Sequence, residues 1–218
     1  MLPMRKLEVR ARIVDALDWS REGQRGSMTS DRTRKPTWSL VKAALKGQPQ
    51  DDLLDLIRDL YRRSAANRRF LHARCVGPAE QLDEYRRLVT VAIAPDPLGT
   101  GRVSLQTAKR AIRDYATATN DRVGTANLMV TFVEEGTDYA ADLGYCEERF
   151  LRSLASMLEQ AVAELGHLPE HDRSSLLRRL DALRDRATVI GYGYGDLVDE
   201  VVGELLQAPP RGWCAPRE

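Results

Sequence analysis

The chain has 218 residues, enough to bury a sizeable core in one large domain or two small ones. Hydrophobic residues make up 43% and charged residues 30%, which excludes a disordered chain, and no stretch approaches the ~18 consecutive apolar residues of a membrane helix. The net charge of +1 conceals a split: residues 1–113 hold 23 Lys and Arg against 13 Asp and Glu, whereas residues 114–218 hold 10 against 19. A basic half of net +10 therefore joins an acidic half of net −9.

Residues 1–36 read as an N-terminal amphipathic helix over about 4–19, marked by Leu7, Ile13, Val14 and Leu17, and then a flexible basic linker. Charges at Arg5, Lys6, Glu8, Arg10, Arg12, Asp15 and Asp18 argue against a secretory signal. Met28 stands as an alternative start, and without residues 1–27 the basic half still carries +8. Cys75, Cys146 and Cys214 are scattered and form no Cys-x-x-Cys pair, which points to reduced thiols in a cytoplasmic protein.

From Thr37 onward apolar residues recur at helical spacing. Thr37 is expected to cap a helix carrying Leu40, Val41, Ala44 and Leu45, closed by Gly47 and Pro49. Asp51 and Asp52 open the next helix, whose stripe is Leu53, Leu54, Ile57, Leu60 and Tyr61. Further helices are predicted over about 65–76, 79–94, 104–119, 121–142, 147–165 and 173–190, with Ser104, Asp121 and Asp172 as caps. A last amphipathic segment carries Leu197, Val198, Val201, Val202, Leu205 and Leu206, and residues 208–218 read as a disordered tail.

No strand is expected. The fold class is all-α, with antiparallel helical hairpins forming an irregular bundle or a short HEAT-like superhelix. A single helical domain is expected over 37–207, with a basic half (37–113) and an acidic half (114–207).

Several pieces of the chain follow one another in a recognisable order. They are Leu53-Leu-Asp-Leu-Ile-Arg-Asp-Leu-Tyr61, Ser104-Leu-Gln-Thr-Ala-Lys-Arg-Ala-Ile112, Leu128-Met-Val-Thr-Phe-Val-Glu-Glu-Gly136, Asp142-Leu-Gly144 with Glu147-Glu-Arg-Phe150, and Gly191-Tyr-Gly193. Together, over about residues 37–206, they resemble an uncharacterised family of bacterial all-helical domains of unknown function. The resemblance implies a helical fold and no particular activity. The family is more acidic around Asp142 than this chain, where Tyr145 and Cys146 intervene, which argues against a required metal loop.

Arg58, Arg62, Arg63, Arg68, Arg69 and Arg74 are the candidate anion contacts, with Arg86 and Arg87 nearby, because guanidinium forks match phosphate and carboxylate oxygens. A solvated helix face, partly paired with Asp55 and Asp59, is the competing reading. No aromatic residues alternate with these arginines, so base stacking is not expected.

Glu134, Asp138 and Asp142 recur every four residues on one predicted helix, and Glu147 follows on the next. Such a set can ligate a hard divalent ion, which makes a metal-dependent hydrolase the alternative function. No Glu-x-x-His motif or Asp-x-Asp calcium loop accompanies it, so an acidic solvated face competes. His167 and His171 are separated by Pro169 in a turn and do not read as a metal pair.

Gly191, Gly193 and Gly195 lack the strand and Lys-Ser/Thr of a phosphate loop, and are expected to permit a kink and close backbone approach, with Tyr192 and Tyr194 packing to either side. No cofactor is expected. The functional expectation is a non-enzymatic helical interaction module that binds nucleic acid or an acidic protein surface through its basic half. Self-association through the opposite-charge halves is a further reading.

Overall fold

The computed structural model describes residues 37–145 and 147–207, so the expected N-terminal helix, basic linker and C-terminal tail lie outside the described residues. The chain divides after Pro49 into two units. The first contains α1 (Trp38–Leu45). Thr37 takes its N-cap position with extended backbone, but its side chain makes no capping bond.

The second unit holds α2 (Gln50–Arg63), α3 (Ala65–Cys75), α4 (Pro78–Ile93), α5 (Leu105–Thr119), α6 (Arg122–Leu143), α7 (Glu148–Leu165), α8 (Glu170–Ala187) and α9 (Tyr194–Gln207). No strand occurs among the described residues, and the fold is all-α.

Local chemistry sets most of the helix ends. Ser64 Oγ accepts from the Asn67 N–H at 3.0 Å, Ser104 Oγ from Thr107 at 3.3 Å, and Asp121 Oδ1 from Gly124 at 2.9 Å. Each satisfies an N–H that the first helical turn leaves free. Asn120 and Gly144, at φ 55° and 62°, end α5 and α6 in the left-handed conformation. The cap expected at Asp172 is a correction: Pro169 holds the N-cap position of α8, at φ −56°. Asp172 lies inside the first turn instead, where its charge favours the positive end of the helix.

Helix α6 is the hub, packed by α4, α5, α7 and α8. Helices α6, α7, α9 and α8 pack in a ring, α4 and α5 pack on each other, and α3 packs on both. Every substantial packing joins helices one or two apart in the chain, which is the connectivity of stacked hairpins. Two consequences matter for function. Among the described helices α2 packs substantially on α3 alone, and α5 and α7 flank α6 with at most a slight contact between them.

The core is continuous through the hub. Leu128, Val130, Phe132 and Val133 of α6 are fully buried, as are Leu154 and Leu158 of α7, each worth about 1.5–3 kcal/mol of transfer free energy. Tyr85 and Tyr115 meet edge to face, with ring centroids 5.3 Å apart. Gly136 lets α6 and α7 approach closely, since a Cβ there would lie 2.3 Å from Leu154 Cδ2.

Candidate functional site

The basic residues of α2 and α3 divide into two groups. Arg58 pairs with Asp55 on its own helix, and Arg69 Nη1 lies 3.7 Å from Glu84 Oε1. Arg74 Nη1 donates to the carbonyls of Thr117 and Ala118 at 3.4 and 3.2 Å, so this cation closes the negative C-terminal end of α5. Arg86 pairs with Asp83 and donates to Asn127 Oδ1 at 3.2 Å. Arg62, Arg63 and Arg68 are exposed and have no ion-pair partner among the described residues. They surround the corner at Ser64, where α2 turns into α3.

Helix α2 has no buried residue. Leu54, Leu56, Ile57 and Leu60 are 52%, 42%, 44% and 45% exposed, although Leu53, Leu56, Ile57 and Leu60 follow the i, i+3, i+4, i+7 spacing of a packing stripe. Tyr61 closes one side by hydrogen bonding to His72 Nε2 at 3.0 Å, and the Asn67 side chain holds the Leu60 carbonyl at 2.7 Å. The α2–α3 hairpin is thus tied at its corner, while its apolar row faces outward.

The expected metal set is distributed differently. Glu134, Asp138 and Asp142 do share one face of α6, but that face looks across a shallow groove of about 820 Å³ at the arginines of α8. Arg179 Nε donates to Glu134 Oε1 at 2.8 Å, and Nη2 binds Oε2 and Thr131 Oγ1, the latter at 3.0 Å. Arg186 Nε donates to Asp138 at 2.9 Å and its Nη2 to Asp142 at 2.5 Å. Glu147 is apart from these and accepts from the Tyr145 hydroxyl at 2.6 Å. Among the described residues no group of three or more His, Cys, Asp or Glu is placed to hold a metal ion. Glu135, beside this row, accepts from Thr90 at 3.2 Å, and burial raises its pKa.

The glycine turn joins α8 to α9. Gly193 has φ 69° and Tyr192 φ 62°, and a Cβ on Gly195 would lie 2.8 Å from the Ala187 carbonyl oxygen. Tyr194 points inward and its hydroxyl lies 2.8 Å from Thr137 Oγ1, whereas Tyr192 is 77% exposed. The two tyrosines therefore do not pack symmetrically. Gly191 has open space around it and no positive φ.

A second cleft is marked by no local sequence motif. Between α5 and α7, over the face of α6, lies a cleft of about 770 Å³ flanked by Lys109, Arg113, Arg149 and Arg152. The signal for it was weak: Lys109 and Arg113 are four apart on α5, as Arg149 and Ser153 are on α7, but nothing local joins the two helices.

No family model, curated protein or solved structure matches this chain. No described helix is long and apolar enough to cross a membrane.

Proposed function

We propose that the protein is a self-associating helical interaction module, whose docking surface is α2 and whose occupant is α2 of a second copy. The observation that carries this reading is the outward apolar row of Leu56, Ile57 and Leu60, set beside Arg63, which has no ion-pair partner among the described residues. An exposed apolar helix stripe next to polar residues marks a surface that is covered by a partner.

Charge selects the partner. Asp51, Asp52 and Asp55 lie toward the N-terminal end of α2 and Arg58, Arg62 and Arg63 toward the C-terminal end. A two-fold axis between Leu56 and Ile57 runs the two helices antiparallel. It sets Leu53 opposite Leu60 and Leu56 opposite Ile57, and brings Asp52 and Arg63, which flank that row on one side, near each other across the seam. Such an isologous contact satisfies itself, since each residue meets its complement in both directions.

Nucleic acid is the weaker occupant. Of the six candidate arginines, Arg58, Arg69 and Arg74 already have partners, and the four aspartates of α2 repel a phosphate backbone. Sedimentation equilibrium tests the reading. The wild type is expected to be a dimer, and Leu56→Asp with Ile57→Asp a monomer of unchanged helical content. A monomeric wild type overturns the proposal. If that monomer bound a labelled single-stranded RNA with a steep salt dependence lost in Arg62→Glu with Arg68→Glu, the nucleic-acid reading would replace it.

A further inference from the structure

We propose that the cleft between α5 and α7 is a binding site for a small organic anion with an apolar body, an amphiphile bearing one phosphate or carboxylate head. The site is separate from the α2 surface and rests on different observations.

Its shape comes from the packing. Because α5 and α7 each pack on α6 and at most slightly on each other, a cleft opens between them with Met129 of α6 at its floor. The resulting cleft of about 770 Å³ is of the size that holds small ligands. Ile112, Met129 and Met157 line it, an apolar surface supplied by all three helices, and methionine adapts readily to a ligand of irregular shape.

Its charge is of one sign. Lys109 and Arg113 reach it from α5, and Arg149 and Arg152 from α7, with no Asp or Glu among its lining residues. Among the described residues only Arg152 is offset, by Glu148 one turn earlier on its own helix. The Lys109 ammonium lies 6.0 Å from the centroid of the buried Phe132 ring. Burial, with the neighbouring Arg113, holds Lys109 below the ordinary lysine pKa, a tension that an anion between them would relieve.

Its third element is an unanswered hydroxyl. Ser153 lines the cleft and is only 8% exposed, and among the described residues its Oγ has no hydrogen-bond partner. A helical serine ordinarily satisfies itself on the carbonyl four residues back. The oxygen itself is closed off from the cleft in this conformation, so a turn about χ1 must bring it to a ligand oxygen, which relieves the cost of a buried unpaired hydroxyl. Cations at the mouth, a free donor within and a thioether-rich wall together fit an anionic head joined to an apolar chain.

Isothermal titration calorimetry with octyl phosphate, octanoate, octanol and inorganic phosphate tests this on the whole chain. One of the two amphiphilic anions is expected to bind at one per chain, and about ten-fold or more tighter than octanol or inorganic phosphate, since each alone lacks half of the contacts. Which anion binds tighter identifies the head. Arg113→Ala, an exposed position, is expected to weaken binding by about ten-fold, the loss of one charge-assisted hydrogen bond. Arg178→Ala, in the α6–α8 groove, leaves it unchanged.

Ser153→Ala separates a ligand contact from a structural one: binding weakens while the unfolding midpoint of the free protein holds or rises. Affinities for octyl phosphate and octanoate that both fail to exceed that for octanol, or an affinity indifferent to Arg113 and Ser153, overturn the proposal.

Discussion

Arg179 grips Glu134 with two guanidinium nitrogens and reaches past it to Thr131, so a single side chain of α8 fixes two residues of α6. Arg186 repeats the grip on Asp138 and Asp142 farther along the same groove. The carboxylates best placed for a hydrolytic metal site are thereby neutralised by fixed cations. Glu134 and Arg179 are 23% and 31% exposed at their side chains, and the Arg186 pairs are more open. Arg179→Ala is therefore expected to destabilise by about 1–3 kcal/mol, leaving a half-buried carboxylate unpaired. Arg186→Ala should cost clearly less than Arg179→Ala, because its pairs are screened by solvent. Urea unfolding of the two variants checks the order. Added manganese should leave the wild-type melting temperature unchanged, and a clear rise would restore the metal reading.

Two glycines give opposite expectations for one substitution. A methyl at Gly136 would lie 2.3 Å from Leu154 Cδ2 and 3.3 Å from Ile93 Cγ1, so Gly136→Ala overpacks the α6–α7 contact and costs about 1–3 kcal/mol. Gly203 lies inside α9 with open space around its Cβ position, and Gly203→Ala should stabilise by about 0.5–1 kcal/mol through helix propensity. Thermal unfolding of both variants decides the matter, and a stabilised Gly136→Ala would contradict the packing described.

Burial pushes the Tyr194 hydroxyl up to about 12 from an ordinary 10.0. A raised folded-state pKa means that the folded protein holds this proton more tightly than the unfolded chain. The corresponding stability is complete below pH 10 and is lost as pH rises through about 12, in total roughly 2–3 kcal/mol. Tyr194→Phe loses the Thr137 hydrogen bond and should be about 1 kcal/mol less stable at pH 8. Its deficit should vanish and then reverse between pH 10 and 12, as seen in denaturant unfolding at each pH. A constant deficit would mean that the hydroxyl does not titrate with unfolding.

The helices were legible in the sequence wherever their signals are local. Ser104 and Asp121 read as caps because an N-cap needs only a side-chain oxygen two or three residues ahead of a free N–H. Asp172 misled because Pro169, three residues earlier, also starts a helix. The α2 stripe was visible, but whether anything covers it is a tertiary fact that periodicity does not carry. The same limit applies to charge. Arg74 finds the end of α5 more than forty residues away, and the partners of Glu134, Asp138 and Asp142 lie on a helix that no spacing connects to them. The six arginines were one cluster in sequence and two groups in space.

A mixing experiment on two charge-swapped forms tests the antiparallel α2 pairing most directly. One form carries Asp52→Arg, the other Arg63→Asp. Both residues are exposed, so neither change should disturb the fold, and circular dichroism verifies this. In antiparallel pairing each form alone sets like charges opposite one another, whereas a mixed pair restores every attraction. Sedimentation equilibrium is expected to show two monomers apart and a one-to-one heterodimer when mixed, weakened by salt through screening. Two swapped forms that dimerise alone as well as the wild type does, or that stay monomeric when mixed, would contradict the pairing.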